Sequence, residues 1–553
     1  MHLSKMYCSP TLCRFLFLRR GLTEEDGKPI IKILTILWRK GLAMHDQKRL
    51  GALLAYVQWG VNMLVGIVFT PILLRHLGES EYGVYSVATS VIAFLTMLDL
   101  GFGQTLVRFY VKYRAEGDRD KADRCSGMFL EMYLVLGAAA LGICALLTHA
   151  FLPRLFGAKF TPEELSILRQ VLSILSVNLA ASFPLSVFSS LITAQERFAF
   201  AKLMSILNTL FTYGGMLLVL RQGYRSPALA AVTTVVSIAV KLFLAWYCLA
   251  RTDARPRLCR PEGEMLKSIF SFSLFIFLNI LIDQLYASTD KFILGAVCGT
   301  AAVTIYTVGV QFNAYFQQLS TAISGVYLPH VTQLYVRDGE KADFSPLFLR
   351  IGHVQFLLLS FVLAGFIAFG RQFIGLIGGG QLGAPEVRAA YWIALIIMVP
   401  GIVPLSQNLG ISILQAMNRH KYRSLSYLVL AVINVIVSIP LAMRWQGVGA
   451  AIGTTLALFA GQYAMMNWYY HRRIGLDIPA YWRMAGLLTL KMLPMALPAL
   501  ALRRLLPGGG WLLFFVKCGL FTLCYLPYAW RCLLSAGEKD LIRRTLRRAR
   551  RAS

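Results

Sequence analysis

Residues 51–74 read GALLAYVQWGVNMLVGIVFTPILL, a run of 24 residues without a charged side chain. About 20 apolar residues in a helix are enough to cross the hydrocarbon core of a bilayer. The run therefore predicts a transmembrane helix. Within it, Gln58 and Asn62 are four residues apart and lie on one helix face. Because polar side chains are costly in lipid, we expect this face to point into the protein.

Thirteen further apolar runs follow along the chain. Of its 553 residues, 57% are hydrophobic and only 15% are charged, which excludes a soluble globular domain and a disordered chain. The sequence thus predicts an all-α polytopic membrane protein with about 14 transmembrane helices. The fourteen runs cover residues 51–74, 82–107, 127–148, 171–191, 198–220, 229–249, 269–294, 302–324, 351–370, 390–414, 425–443, 448–468, 484–502 and 511–530.

The chain is strongly basic, with a formal net charge of +28. Its cations lie between the apolar runs, a pattern that favours topology control and contact with anionic membrane lipids over a nucleic-acid partner. With the N-terminus inside, the cytoplasmic segments hold 40 Lys and Arg residues and the outer segments hold 12. This asymmetry predicts that both termini are cytoplasmic.

Basic segments flank the predicted spans at both ends. Residues 1–50 lack the apolar core and cleavage site of a signal peptide, so they are expected to form a cytoplasmic tail, in which Met44 is a candidate start. Residues 531–553 are expected to form a second basic cytoplasmic tail.

The sequence also contains weak internal matches at a nearly constant displacement of 220 or 221 residues, which pair helices 1 and 2 with helices 7 and 8. The matches are Gly78 with Gly299, Tyr85-Ser86-Val87 with Tyr306-Thr307-Val308, and Lys121-Ala122-Asp123 with Lys341-Ala342-Asp343.

An offset of six helices preserves orientation in the membrane, so we expect two parallel, pseudo-symmetric six-helix lobes around a central cavity. The first lobe is predicted at 51–250 and the second at 269–470, joined by a cytoplasmic linker at 251–268. A C-terminal helix pair is predicted at 484–530.

The sequence has no HExxH, P-loop or GxSxG motif and no His or Cys cluster at metal-ligand spacing. We therefore expect a protein that is not an enzyme and has neither a metal site nor a cofactor. The polar side chains inside the spans are the candidate substrate-binding residues. They are Gln58, Asn62, Asp99, Arg108, Asp283, Tyr286, Asp290, Lys291, Gln311, Tyr315 and Gln318.

These residues have other interpretations, which stay open at this point. The Gln and Asn amides could be interhelical hydrogen bonders. Asp290 and Lys291 could form a solvated pair at the outer interface, and Arg108 could extend to the inner headgroups. Lys517, inside the last span and next to Phe514, Phe515 and Val516, could face a lateral groove. An extended side chain at the membrane surface or a carboxylate partner is the expectation that we prefer.

Several stretches resemble the signatures of bacterial oligosaccharide-lipid flippases, which belong to the multidrug/oligosaccharidyl-lipid/polysaccharide exporter superfamily. The resemblance covers nearly the whole chain from about Lys48 to helix 14. The stretches are TPILLRHLG at 70–78, EYGVYS at 81–86, LDLGFG at 98–103 with Arg108-Phe109, and DKFILG at 290–295 followed by Tyr306-Thr307-Val308.

The resemblance implies alternating access and a cargo of polyprenyl-diphosphate-linked oligosaccharide, moved from the cytoplasmic to the outer leaflet of the bacterial inner membrane. The product would serve O-antigen, capsule or exopolysaccharide assembly, with polysaccharide polymerase and ligase machinery as expected partners. Fourteen helices is a count shared with lipid II flippases, whose final pair helps form a groove for the lipid tail. Their cavity arginines have no residue-by-residue match in this sequence.

The coupling ion is open between protons, sodium and no ion, with Asp99, Asp283 and Asp290 as candidate titrating groups. Two other functions also remain. One is a cation-coupled multidrug exporter of the same superfamily. The other is a membrane-embedded polysaccharide ligase or glycosyltransferase, for which the longest predicted outer loops, 150–170 and 371–388, are short.

Overall fold

The computed structural model describes residues 44–258, 263–417, 419–535, 537–540 and 543, and these ranges contain helices and no strand. The predicted tails at 1–50 and 531–553 therefore fall largely outside the described residues. The helices of eight or more residues are α1 (Met44–Leu95), α2 (Phe102–Ala115), α3 (Arg119–Leu146), α4 (Pro162–Ala194), α5 (Phe198–Arg221), α6 (Ser226–Arg251), α7 (Gly263–Cys298), α8 (Thr300–Asp338), α9 (Ser345–Gly378), α10 (Ala384–Ser406), α11 (Leu409–Ala416), α12 (His420–Leu458), α13 (Ile478–Met492), α14 (Ala496–Leu505) and α15 (Trp511–Tyr528).

The described part of the chain has ten helical segments that are long and apolar enough to cross a membrane. Two of them, Leu53–Ala115 and Tyr422–Ile474, have 63 and 53 residues. A straight helix of 63 residues would be about 95 Å long, roughly three times the hydrocarbon thickness, so such a segment has to turn back. The predicted all-α, multi-pass membrane fold is confirmed. The count of fourteen crossings and the six-helix lobes stay predictions.

Glycine produces the turn within α1. Gly78 has φ 76° and ψ 176°, and the helix resumes beyond it. Gly299, between α7 and α8, has φ 91° and ψ −176°. Residues with a side chain rarely adopt this backbone conformation, whereas glycine does so without steric cost. Gly78 and Gly299 are the two glycines that the sequence repeat aligns, so the repeat in sequence corresponds to a repeated turn in the backbone.

Glu81 joins the first glycine turn to the start of α6. Its side chain is only 5% exposed. Oε1 accepts a hydrogen bond of 2.8 Å from the backbone N–H of Ser226, and Oε2 lies 3.2 Å from the guanidinium of Arg225. The first N–H groups of a helix have no partner within the helix, so the carboxylate satisfies a donor that would otherwise be unpaired.

The C-terminal helices pack on α9 through aromatic side chains. Phe373 of α9 stacks on Phe514 of α15 with ring centres 4.8 Å apart and planes 4° from parallel. A second pair, Phe361 of α9 and Phe521 of α15, stacks with ring centres 5.8 Å apart and planes 7° from parallel. Aromatic contacts of this kind contribute about 0.5–1.5 kcal/mol each beyond simple burial. The predicted C-terminal helix pair is therefore attached to α9.

We predict that Glu81→Ala lowers the free energy of unfolding by about 1.5–3 kcal/mol, because it removes a charge-assisted hydrogen bond and leaves a buried donor unpaired. Thermal unfolding of the purified protein in detergent, followed by size-exclusion chromatography, measures the loss. Glu116→Ala is the matched control, since Glu116 is 51% exposed and pairs with Lys112 only at 3.9 Å. Equal thermal stability of the two variants would contradict the role given to Glu81.

Candidate functional site

The polar face of α1 contacts α5. Gln58 donates a hydrogen bond to the hydroxyl of Ser205. One turn further along, the Thr209 hydroxyl donates to Asn62 Oδ1 at 3.2 Å. Both pairs follow the four-residue spacing that places side chains on one face of a helix. Of the two interpretations left open for these amides, the observed contacts are those of interhelical hydrogen bonding.

A second polar cluster joins α1 to α8, so it connects the two halves of the chain. Gln311 Nε2 lies 3.0 Å from the carbonyl oxygen of Gly66, 3.0 Å from Thr70 Oγ1 and 2.6 Å from the Tyr315 hydroxyl. The Thr70 hydroxyl lies 2.7 Å from the same Gly66 oxygen. Two of the candidate residues, Gln311 and Tyr315, thus form one hydrogen-bonded unit with α1.

Beyond this cluster, the two glycine turns pack against each other at the end of the bundle that the charge asymmetry places outside. The Thr304 hydroxyl donates to the backbone carbonyl of Glu79 at 2.6 Å. A Cβ atom added to Gly83 would lie 2.2 Å from the carbonyl oxygen of Thr300. Under the repeat displacement of 221, Glu79 aligns with Thr300 and Gly83 with Thr304. The two contacts are therefore reciprocal, as they are across a two-fold axis.

Glu164, at the start of α4, connects both turns. Its Oε1 accepts hydrogen bonds from the Ser80 hydroxyl and from the Thr300 hydroxyl, the latter at 2.8 Å. The carboxylate is held in place by a capping box, in which the Thr161 N–H donates to Oε2 at 2.7 Å. Glu164 was not a candidate from the sequence, although the capping pattern of Thr161, Pro162 and Glu164 is recognisable there.

At the opposite end of the bundle, α2 contacts α7. The hydroxyl oxygens of Thr105 and Ser273 are 2.8 Å apart, and the two residues are 0% and 1% exposed. The exposed side chain of Arg108 places its guanidinium carbon 4.0 Å from the centre of the Phe272 ring. Arg108 therefore makes a cation–π contact with α7.

Asp99 lies in a short 3₁₀ turn, Thr96–Asp99, between α1 and α2. Its carboxylate accepts a hydrogen bond from the hydroxyl of Tyr133 on α3. The Gly101 backbone N–H also donates to this carboxylate. Asp99 therefore joins the second predicted span to α3.

Asp290 is deeply buried, at 4% exposure, and it connects three helices. Its Oδ2 accepts hydrogen bonds from the Tyr306 hydroxyl of α8 and from the Thr454 hydroxyl of α12, the latter at 2.6 Å. Oδ1 has no hydrogen-bond partner among the described residues. Lys291 forms no ion pair within the described chain, so a solvated Asp290–Lys291 pair at the outer interface is not what the structure contains.

The remaining candidates are less defined. Asp283 and Tyr286 lie on α7, but their side chains fall outside the described residues. Gln318 is half-buried on α8, beyond Tyr315 and away from the Gly66 contact. Among the residues that the structure describes, no group of His, Cys, Asp or Glu side chains could hold a metal ion.

Comparison with known proteins identifies the family. The sequence model of the family described as polysaccharide biosynthesis protein matches residues 51–335, which is more than half of the chain. A protein of Haloferax volcanii named "Probable flippase AglR" is 26% identical over 205 residues, covering 36% of this chain and 41% of that protein. The chain thus spans about two fifths of this relative. A Shigella flexneri protein named "Putative O-antigen transporter" is 20% identical, covering 75% of this chain and 95% of that protein.

Two solved structures have the same fold. The lipid II flippase MurJ, in its inward closed conformation, superposes with a TM-score of 0.69 at 14% identity, covering 89% of this chain and 99% of MurJ. An inward-facing multidrug resistance transporter of the MATE family superposes with a TM-score of 0.59 at 16% identity, covering 76% of this chain and 94% of that one. The chain therefore belongs to the polysaccharide biosynthesis protein family.

Proposed function

We propose that the protein is a flippase that moves a polyprenyl-diphosphate-linked oligosaccharide from the cytoplasmic to the outer leaflet of a bacterial inner membrane, with both termini in the cytoplasm. The cargo would supply cell-surface polysaccharide assembly. The family match and the names of the two relatives support this choice. The charge asymmetry of the loops supports the orientation.

Physical chemistry explains why such a cargo needs a protein. A glycan and a diphosphate would have to cross about 30 Å of hydrocarbon, where each unpaired polar group costs about 2–7 kcal/mol. A hydrated passage lined by hydrogen-bonding side chains replaces the lost water. The polyprenyl tail can stay in the lipid throughout. Arg108, exposed at the end of α2 that is predicted to be cytoplasmic, is suited to attract the diphosphate as it enters.

The observation that carries the proposal is that the contacts between the halves of the chain are mostly polar and individually weak. They include a reciprocal backbone contact and a Glu164–Thr300 hydrogen bond at one end, a Thr105–Ser273 hydrogen bond at the other, and the Gln311 cluster between them. Neutral hydrogen bonds contribute only about 0.5–1.5 kcal/mol each, and the charge-assisted bond of Thr300 to Glu164 contributes about 1.5–3 kcal/mol, so either end can separate at modest cost. Alternating access requires this property, because one end has to open while the other closes.

We further propose that Asp99, Asp283 and Asp290 are the groups through which a proton or sodium gradient could be coupled, with no other cofactor. The unpartnered oxygen of Asp290 supports its inclusion. Anionic lipids and the machinery that polymerises or ligates the glycan are the proposed partners.

The direct test is translocation by the purified protein in liposomes. We expect it to expose a polyprenyl-diphosphate-linked oligosaccharide to a soluble lectin on the opposite side, while mass spectrometry finds the glycosidic bonds unchanged. Transport of lipophilic cations without transport of the lipid-linked glycan would instead assign the chain to multidrug export. New glycosidic linkages would assign it to ligases or glycosyltransferases.

A reversible cross-link tests the need for separation of α2 and α7. The Thr105 and Ser273 hydroxyl oxygens are 2.8 Å apart, so cysteines at both positions can form a disulfide with little movement. We predict that oxidised Thr105→Cys/Ser273→Cys protein loses transport in liposomes and regains it on reduction. Each single cysteine variant, oxidised in the same way, is the control. Full transport by the cross-linked double variant would show that these helices need not separate.

The backbone contact at Gly83 gives a second test of the same mechanism. In Gly83→Ala the new Cβ overlaps a backbone carbonyl, which cannot rotate away, and overpacking of this kind costs about 1–3 kcal/mol. We predict that the outer end opens, so that a cysteine placed at Thr304 reacts about 5- to 150-fold faster with an impermeant maleimide. Gly60→Ala on the same helix is the matched control, since its Cβ would meet nothing within 4 Å. Equal labelling rates in both backgrounds would argue against closure at Gly83.

A further inference from the structure

A cavity of about 240 Å³ lies outside the helices that join the two halves. It is bordered by the end of α9, the segment after α14 and the first turns of α15. Its polar lining comes from Arg371, Gln372, Arg503 and Lys517. Arg371 and Arg503 both follow spans that are predicted to end at the outer face, so the cavity is expected at the outer interface of the membrane.

Lys517 is the innermost of these groups and is only 4% exposed. Its ammonium donates to Gln372 Oε1 at 2.7 Å and to the carbonyl oxygen of Gly508 at 3.4 Å. Both acceptors are neutral, and a lysine ammonium has three hydrogens to donate. The expectation of a carboxylate partner is therefore wrong for Lys517. The buried ammonium therefore has one hydrogen that neither of these acceptors uses.

Gln372 adds a second free donor. Its oxygen accepts from the Lys517 ammonium, which can only donate, and this fixes the orientation of the amide. The opposite side of the amide, Nε2, is buried without a hydrogen-bond partner among the described residues. A buried donor without a partner is costly, so a ligand that accepts a hydrogen bond at this point would be favoured.

The charges around the cavity have one sign. Arg371, Arg503 and Lys517 take part in no ion pair within the described chain, and no Asp or Glu lines the cavity. Three cations and a free amide donor offer hydrogen bonds and accept none. This arrangement selects an oxygen-rich anion, and arginine in particular matches the oxygens of phosphate.

The surroundings of the cavity are apolar and face outward. Leu505, Leu512 and Phe515 are 76%, 82% and 62% exposed, and they lie on the helices that border the cavity. In a membrane these side chains contact hydrocarbon. A ligand that reaches the cavity from this side would therefore carry a hydrocarbon chain next to its anionic group.

We propose that this cavity binds the diphosphate headgroup of a polyprenyl lipid in the outer leaflet, while the hydrocarbon tail stays in the surrounding lipid. The volume corresponds to about eight water molecules at about 30 Å³ each, enough for the nine heavy atoms of a diphosphate. The inference rests on the proposed function, since it states where the anionic part of the cargo is held after it has crossed.

Binding of defined lipids to the full-length protein in detergent tests the site. The probes are polyprenyl diphosphate, the corresponding polyprenol, phosphatidylglycerol and inorganic diphosphate. We expect the protein to prefer polyprenyl diphosphate, and Arg503→Gln to weaken its binding about tenfold through loss of a charge-assisted contact. Arg504→Gln is the matched control, because Arg504 is the next residue of α14, is also exposed and does not line the cavity. Its binding should stay within about twofold of the unmodified protein.

Equal losses in the two arginine variants would overturn the site, since they would indicate general attraction to a basic surface. Equal binding of phosphatidylglycerol or of inorganic diphosphate would overturn the assignment to a polyprenyl lipid. The liposome assay separates this proposal from the proposed function. If the unmodified protein moves the lipid-linked glycan while Arg503→Gln and Arg504→Gln bind alike, only the site is wrong. If it moves no lipid-linked glycan, the function is wrong.

Discussion

The close approach of Gly83 to the backbone of Thr300 is the contact on which the relation between the two halves depends. No side chain separates α1 from α8 at this point, so the two backbones define how near the glycine turns can come. The Thr304–Glu79 hydrogen bond and the Glu164 carboxylate then hold the turns together. Because the backbones are in van der Waals contact, they fix the shortest distance between α1 and α8 at this end of the molecule. The hydrogen bonds around the contact can be replaced by hydrogen bonds to water.

Much of the fold could be predicted from the sequence, since the bilayer imposes a strong length and polarity requirement on every crossing helix. Helices account for the fourteen apolar runs except for two-residue turns at 100–101 in the second run and at 407–408 in the tenth. The weak sequence match of Gly78 with Gly299 reflects a requirement of the structure, because both positions adopt a backbone conformation that favours glycine. The number of crossings does not follow from the helices alone, because two helical segments, Leu53–Ala115 and Tyr422–Ile474, are each long enough for more than one crossing.

The candidate site was less accessible to sequence reasoning. Intramembrane polar residues could be found, but their partners lie far away in the chain, as Gln311 and Gly66 do, and no spacing rule connects them. Thr105 and Ser273 were missed because small hydroxyl residues are common in apolar helices and give no signal alone. Lys517 stands out in the sequence as a charge inside an apolar run. Its neutral partner Gln372 lies 145 residues away on α9, so no sequence spacing connects the two residues.

The stacked rings of Phe373 with Phe514 and Phe361 with Phe521 fasten the C-terminal helices to α9 along its length. In the proposed alternating access, this attachment would make α15 move together with α9. A headgroup bound beside Lys517 would then move together with α9. Its distance from α1 would change during the transport cycle, while its distance from α9 would stay fixed. Release into the leaflet would then depend on lateral escape past α15, without a second opening of the central contact.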